Sequence, residues 1–166
     1  MTQQTEQQGP IWLTQKAFDE LTAELEDMKG PRRQHIVGRI SSAREEGDLS
    51  ENGGYHAARE EQGKLEGQIR QLEHVLLNAE TTVPEDDGVV AAGKVVTYKF
   101  EGDPPESLLL GARENEAYVD GLTVFSPQAP LGAALLGAET GSVVEFTGPN
   151  GRTNKVEVVS AVPYQS

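Results

Sequence analysis

At 166 residues the chain suits one ordinary domain or two small ones, and 36% hydrophobic residues with only 5% aromatics is thin for a single compact core, favouring an elongated component whose helices each bury one narrow seam. The formal charge of −13 is spread over both halves, nine basic against 15 acidic side chains in residues 1–83 and five against 12 in residues 84–166. This excludes long-range attraction to nucleic acid, so any such contact must be local and made beside a basic partner. Absence of cysteine excludes disulfides and thiolate metal sites, and no apolar run approaches the roughly 18 residues that suggest a membrane span.

Met1–Gly9 is polar and glutamine-rich, without the basic and apolar parts of a signal peptide, and is expected to be a disordered tail. Together with the lack of cysteine this fits a reducing cytoplasm. Thr14 is the predicted cap of a first helical arm, with Phe18, Leu21, Leu25 and Met28 at alternating three- and four-residue steps. Gly30-Pro31 interrupts the pattern, and Pro31 is placed to open a renewed helix with apolar positions Ile36, Val37, Ile40 and Ala43. After Gly53-Gly54 a second arm carries Ala58, Gln62, Leu65, Ile69, Leu72 and Leu76, a heptad seam in which only Gln62 is polar. Two narrow-striped helices with a short connection predict an antiparallel hairpin; arms of about 25 residues would extend about 38 Å.

The character changes near Val83-Pro84. Strands are predicted at Lys94–Phe100, Ser107–Leu110, Leu122–Ser126, Val143–Thr147 and Lys155–Val162, with turns at Asp120-Gly121 and Pro149-Asn150-Gly151 and one helix within Pro127–Ala138. The expected class is therefore α+β: a tail over residues 1–9, an antiparallel coiled-coil domain over 10–83 with an acidic tip at 44–55, and a small, mainly antiparallel sheet domain over 84–166.

The bend, Arg44-Glu45-Glu46-Gly47-Asp48-Leu49-Ser50-Glu51-Asn52-Gly53-Gly54-Tyr55-His56, is dense in carboxylates where a connector needs only turn residues. Asp48 and Glu51, three apart, project from one side if the turn is helical, and such a pair suits Mg²⁺, which accepts one or two carboxylates while keeping water. The competing reading is a capping box, with Asp48 as the cap and Glu51 at the third helical position. Two carboxylates alone make a weak, exposed ion site. His56 and His74 are poorly placed to complete one, His74 being about 27 Å along a continuous helix from His56. No GxSxG element, phosphate-binding loop or cysteine nucleophile is present.

The run Ala43–Asn52 followed by Tyr55-His56-Ala57-Ala58-Arg59-Glu60 closely resembles the Gre family of bacterial transcript-cleavage factors. Leu13-Thr14 fits the family's opening, and Ser126-Pro127 with Pro130-Leu131-Gly132-Ala133-Ala134-Leu135-Leu136-Gly137 fits its second half. The resemblance implies an FKBP-like second domain that docks at the rim of the RNA polymerase secondary channel, while the coiled coil enters it. It implies that Asp48 and Glu51 help hold a Mg²⁺ ion shared with the polymerase active centre, where backtracked RNA presents its 3′ end. Arg44 and Arg59 match basic positions near the family's tip, which implies RNA contact; intrahelical ion pairs with Glu60 or Glu45 are the alternative. Asn52 and Tyr55 are expected to shape the tip. Ser126, Pro127, Leu131, Leu135 and Leu136 are expected to form an apolar docking surface. The resemblance further implies a factor that stimulates the polymerase's own cleavage and is not itself an enzyme; the free chain is expected to be monomeric, with self-association left open, and to make no membrane contact.

The sequence departs from the family pattern at Gly53-Gly54, where Ala-Glu is usual, at Ser50, often basic in relatives, and at Ala133 and Ala138, often Arg and Lys. Glycine weakens a helix by roughly 0.5–1 kcal/mol relative to alanine, so the tip is expected to be loosened. Three other readings stay open at this point: a purely structural coiled coil, a channel-binding inhibitor that slows synthesis without cleavage, and a prolyl isomerase. The last would need an apolar pocket built from Tyr98, Phe100, Tyr118, Phe125, Phe146 and Tyr164.

Overall fold

The structure, a computed structural model, describes residues 11–165; the expected tail at Met1–Gly9 lies outside them. The chain forms two compact units, one of residues 19–78 and one that takes the chain up to Phe18 and from Ala79 onward.

The first unit is the predicted hairpin. Helix α1 (Gln15–Asp27) runs through a π-helical stretch at Met28–Arg32 into α2 (Arg33–Glu45), and α3 (Gly53–Leu77) returns. Ion pairs join Lys29 to Glu73 (3.2 Å), Arg33 to Glu66 (2.7 Å) and Arg39 to Glu61. As numbers rise in one arm they fall in the other, so the arms are antiparallel. Exposed pairs of this kind contribute little energy each; the buried seam of Leu21, Met28, Ile36, Ile40 and Ala43 against Ala58, Leu65, Ile69, Leu72 and Val75 is the main adhesive.

Three details differ from the sequence reading. Pro31 does not open a new helix but sits inside the π-helical stretch, where the Arg33 N–H reaches the Gly30 carbonyl. A widened turn accommodates the missing proline N–H without ending the helix. Val37 is 46% exposed, because Ile36 and Ile40 already fill the seam. At the far end of α3 the buried residue is Val75, and Leu76 is only half-buried, so the last heptad step is three residues and not four.

In the second unit, strands β1 (Ile11–Trp12) and β2 (Ala79–Glu80) pair in parallel. The main sheet contains β3 (Lys94–Phe100), β4 (Glu106–Leu110), β5 (Thr123–Phe125), β6 (Val143–Thr147) and β7 (Thr153–Pro163), in the order β5-β4-β3-β7-β6. Every neighbouring pair is antiparallel except β4–β5, so the expected α+β class with a mainly antiparallel sheet holds. Helix α4 (Pro130–Leu135) packs on one face, where Val96, Tyr98, Leu108, Leu110, Val156, Val158 and Ala161 form the core with Leu131 and Leu135.

Leu108, Leu109 and Leu110 are all fully buried, so β4 is covered on both faces. The opposite cover is Trp12 with Val119 and Val124. Residues 11–14 thus belong to the sheet unit in space, although they precede the hairpin in sequence. Buried Asn115 holds them there: its Oδ1 accepts the Thr14 N–H at 2.9 Å and its Nδ2 donates to the Trp12 carbonyl at 2.9 Å. Thr14 in turn caps α1, its Oγ1 accepting the Ala17 N–H at 2.9 Å. Lys94, 1% exposed, is neutralised where it lies, donating to Asp87 at 2.5 Å and to the Val89 carbonyl at 2.6 Å.

Candidate functional site

The bend between α2 and α3 is built by short-range hydrogen bonds, not by apolar packing. Helix α2 closes as the Glu46 N–H reaches the Ala43 carbonyl at 3.1 Å. Gly47 follows with φ of 118°, a conformation side chains disfavour, and turns the chain away from the helix axis. Asp48 then accepts at Oδ1 both the Ser50 N–H (3.0 Å) and the Ser50 hydroxyl (2.8 Å), folding residues 48–50 into a side-chain-closed turn. Asn52 starts the second arm: its Oδ1 accepts the Tyr55 N–H at 3.0 Å, and its Nδ2 donates to the Ala43 carbonyl at 2.8 Å.

The capping-box reading is therefore corrected. The cap of α3 is Asn52, and Asp48 and Glu51 lie in the turn that precedes the helix. Asp48 does not cap because Asn52 occupies the cap position, while the Asp48 carboxylate bonds Ser50 within the preceding turn. The tip-shaping role expected of Asn52 has a direct physical basis in its two bonds. Tyr55 is half-buried, with its ring edge-on to His56 at 5.5 Å.

Asp48 and Glu51 are both exposed. The Ser50 hydroxyl, followed by the Ser50 N–H, holds the Asp48 carboxyl below the usual aspartate range. Both bonds fall on Oδ1, and no hydrogen bond to Oδ2 or to the Glu51 carboxylate occurs among the described residues. This donor chemistry fits Mg²⁺: hard, anionic oxygens on exposed side chains, with one of the two carboxylates oriented by its bonds to Ser50. It does not make a self-sufficient centre, since among the described residues no group of three or more His, Asp or Glu is arranged to hold a metal ion.

Arg44 and Arg59 are exposed on either side of the bend. Among the described residues neither forms the ion pair with Glu60 or Glu45 that the sequence allowed; Arg59 donates instead to Gln62 at 3.2 Å. Two participants escaped the sequence reading. Ser50 was legible in principle, since an Asp followed two residues later by Ser is a turn pattern. His56 was not: its Nε2 lies 3.3 Å from the Ser50 carbonyl, a contact that only the turn creates.

The expected docking surface needs correction. Leu131 and Leu135 are 6% and 0% exposed: they face the sheet and belong to its core, because α4 turns its apolar side inward. Leu136 is 48% exposed, while Ser126 and Pro127 are half-buried and border a cleft of about 660 Å³ with Trp12, Arg113, Phe125 and Gln128. The aromatics considered for an isomerase pocket are dispersed. Tyr98, Phe100 and Phe146 pack on one another in sequence at 5.8 and 6.1 Å, Tyr164 packs on Trp12, and Phe125 borders the cleft.

Both halves of the chain match a known protein family. The profile described as "Transcription elongation factor, N-terminal" matches residues 11–81, and that described as "Transcription elongation factor, GreA/GreB, C-term" matches residues 85–163. Transcription elongation factor GreA of Streptomyces avermitilis is 48% identical over 99% of both chains. GreA of Saccharopolyspora erythraea is 51% identical over 92% of this chain and 94% of its own. Among solved structures, GreA factor homolog 1 of Thermus thermophilus aligns over 92% of this chain and 98% of its own at 26% identity, with a TM-score of 0.41. The two profile matches together span most of the chain and define the class, a transcription elongation factor. The chain belongs to the GreA/GreB family, and the curated relatives it matches at 48% and 51% identity are GreA proteins.

Proposed function

We propose that this elongation factor acts on bacterial RNA polymerase, stimulating Mg²⁺-dependent endonucleolytic cleavage of backtracked nascent RNA and so rescuing arrested complexes. The observation that carries the proposal is the exposed carboxylate pair Asp48 and Glu51 at the hairpin bend, with Asp48 held in place by Ser50. Asp48 and Glu51 would hold the ion jointly with the polymerase; when bound, Mg²⁺ stabilises charge on the attacking and leaving oxygens of an in-line phosphoryl displacement.

The remaining work falls to this chain's own side chains. Phosphoryl transfer depends mainly on positioning and charge stabilisation, so presenting two carboxylates is a sufficient contribution, and the cleavage itself belongs to the polymerase. Ser50 fixes one carboxylate oxygen of Asp48, and Asn52 fixes where the bend sits on the arms. Arg44 and Arg59 supply local positive charge for the RNA 3′ segment in a chain whose net charge of −13 would otherwise repel it. The Pro127 cleft and exposed Leu136 are the apolar features through which the sheet unit would dock on the polymerase. The factor would act as a cytoplasmic monomer.

The test is to add the protein to a backtracked polymerase complex in Mg²⁺ and follow the RNA. Release of short 3′ fragments should accelerate. A second reading, channel-binding inhibition, draws on Glu45 and Glu46, exposed beside the bend. Slowed synthesis without fragments would favour that reading over the first.

A further inference from the structure

Three side chains hold the bend in shape, two by bonds between the bend and the arms and one within the bend. Asn52 anchors the start of α3 to Ala43, and Ser50 holds Asp48. The third is His56, an exposed residue in the first turn of α3 whose Nε2 approaches the Ser50 carbonyl at 3.3 Å. We infer that His56 is a positioning residue for the tip carboxylates, acting through Ser50 on Asp48.

A carbonyl oxygen can only accept, so Nε2 must carry the proton, and the neutral Nε2–H tautomer meets that need without any charge on the ring. The bond joins the first turn of α3 to the one residue that grips Asp48 from both its backbone and its hydroxyl. Its value comes from what surrounds it. Gly47 and the Gly53-Gly54 pair flank the turn, and glycine restricts backbone freedom less than any other residue. Packing adds little, since Asp48, Ser50 and Glu51 are all exposed. The Tyr55 ring, edge-on to the imidazole at 5.5 Å with an interplanar angle of 68°, limits the orientations His56 can take.

This inference rests on the cleavage reading for its functional consequence, but not for the tie itself. The full chain carrying His56→Ala or His56→Gln is titrated against a backtracked polymerase complex in Mg²⁺, and the saturating cleavage rate is read separately from the half-saturating concentration. His56→Ala should lower the saturating rate about tenfold, misplacement of a reacting geometry by 1 Å costing up to about 100-fold, with the half-saturating concentration unchanged. His56→Gln, whose side-chain amide can still donate from a similar position, should restore most of the rate. A wild-type rate in His56→Ala, a Gln variant no better than Ala, or a loss confined to the half-saturating concentration overturns the inference. Backbone order parameters at Ser50 and Glu51 in the free protein should fall in His56→Ala and recover in His56→Gln. If the unaltered protein releases no fragments, the cleavage reading fails on its own; the order parameters then decide, a drop supporting the tie and no change overturning it.

Discussion

Asn52 donates from Nδ2 to the Ala43 carbonyl at 2.8 Å, so a residue that begins one arm also satisfies the last turn of the other. The same side chain accepts the Tyr55 N–H at 3.0 Å. Loss of a helix cap alone costs about 1 kcal/mol, and here the Ala43 carbonyl also loses the Asn52 donor, while keeping the Glu46 N–H at 3.1 Å. Asn52→Ala should lower the stability of the hairpin by about 1–2 kcal/mol, read by urea denaturation. Asn52→Asp keeps the cap but cannot donate to Ala43, and should fall between the two.

Acid should loosen the hairpin through Glu66. Its carboxyl is held below the usual glutamate range first by the hydrogen bonds from Arg33 and then by charge attraction. A carboxylate depressed in the folded state contributes stability above its unfolded pKa and loses that contribution as pH falls through the folded value. The hairpin should therefore weaken progressively as pH drops below the ordinary glutamate range. In Glu66→Gln that part of the pH dependence should disappear from thermal melts. An unchanged profile would mean that the Arg33 pair is too solvent-screened to matter.

Gly132 is the point where α4 meets the loop after β5. A Cβ built there would lie 2.1 Å from the Ser126 carbonyl oxygen and 3.1 Å from Leu110 Cδ1. Backbone cannot yield as a flexible side-chain end can, so Gly132→Ala should destabilise the sheet unit by about 3 kcal/mol and displace the Ser126-Pro127 rim of the cleft. Gly137→Ala, where the space is open but φ is 83°, is a useful contrast, its cost coming from backbone conformation alone.

The sequence revealed the arms because a heptad stripe from Ala58 to Leu72 has one physical solution, and it revealed the sheet strands because their apolar runs end at Gly, Pro and Asn. What it could not reveal was long-range covering. Trp12 packs with Leu109 on the sheet face away from α4, and nothing in the local pattern around residue 12 announces a partner so far along the chain. The same limit explains Leu131 and Leu135: an apolar helix stripe reads alike whether it docks on a partner or closes the chain's own core.

At the bend the acids were legible as a cluster, but their local structure was not. Asp48-Leu49-Ser50-Glu51 satisfies both a capping-box pattern and a turn pattern. The choice was made by Asn52, which can cap α3 and bond Ala43 at once only if the helix begins at Gly53. Two local motifs competed, and the one with a tertiary bond won.

The central claim is most directly tested by the Asp48→Asn, Glu51→Gln double variant in the fragment-release assay, with polymerase binding measured on the same samples. Both changes remove charge with little change of shape. Loss of transcript cleavage by at least about 100-fold, with binding retained, is the result expected if these two carboxylates complete the polymerase's ion shell. Cleavage at the wild-type rate by a variant that still binds would contradict the account.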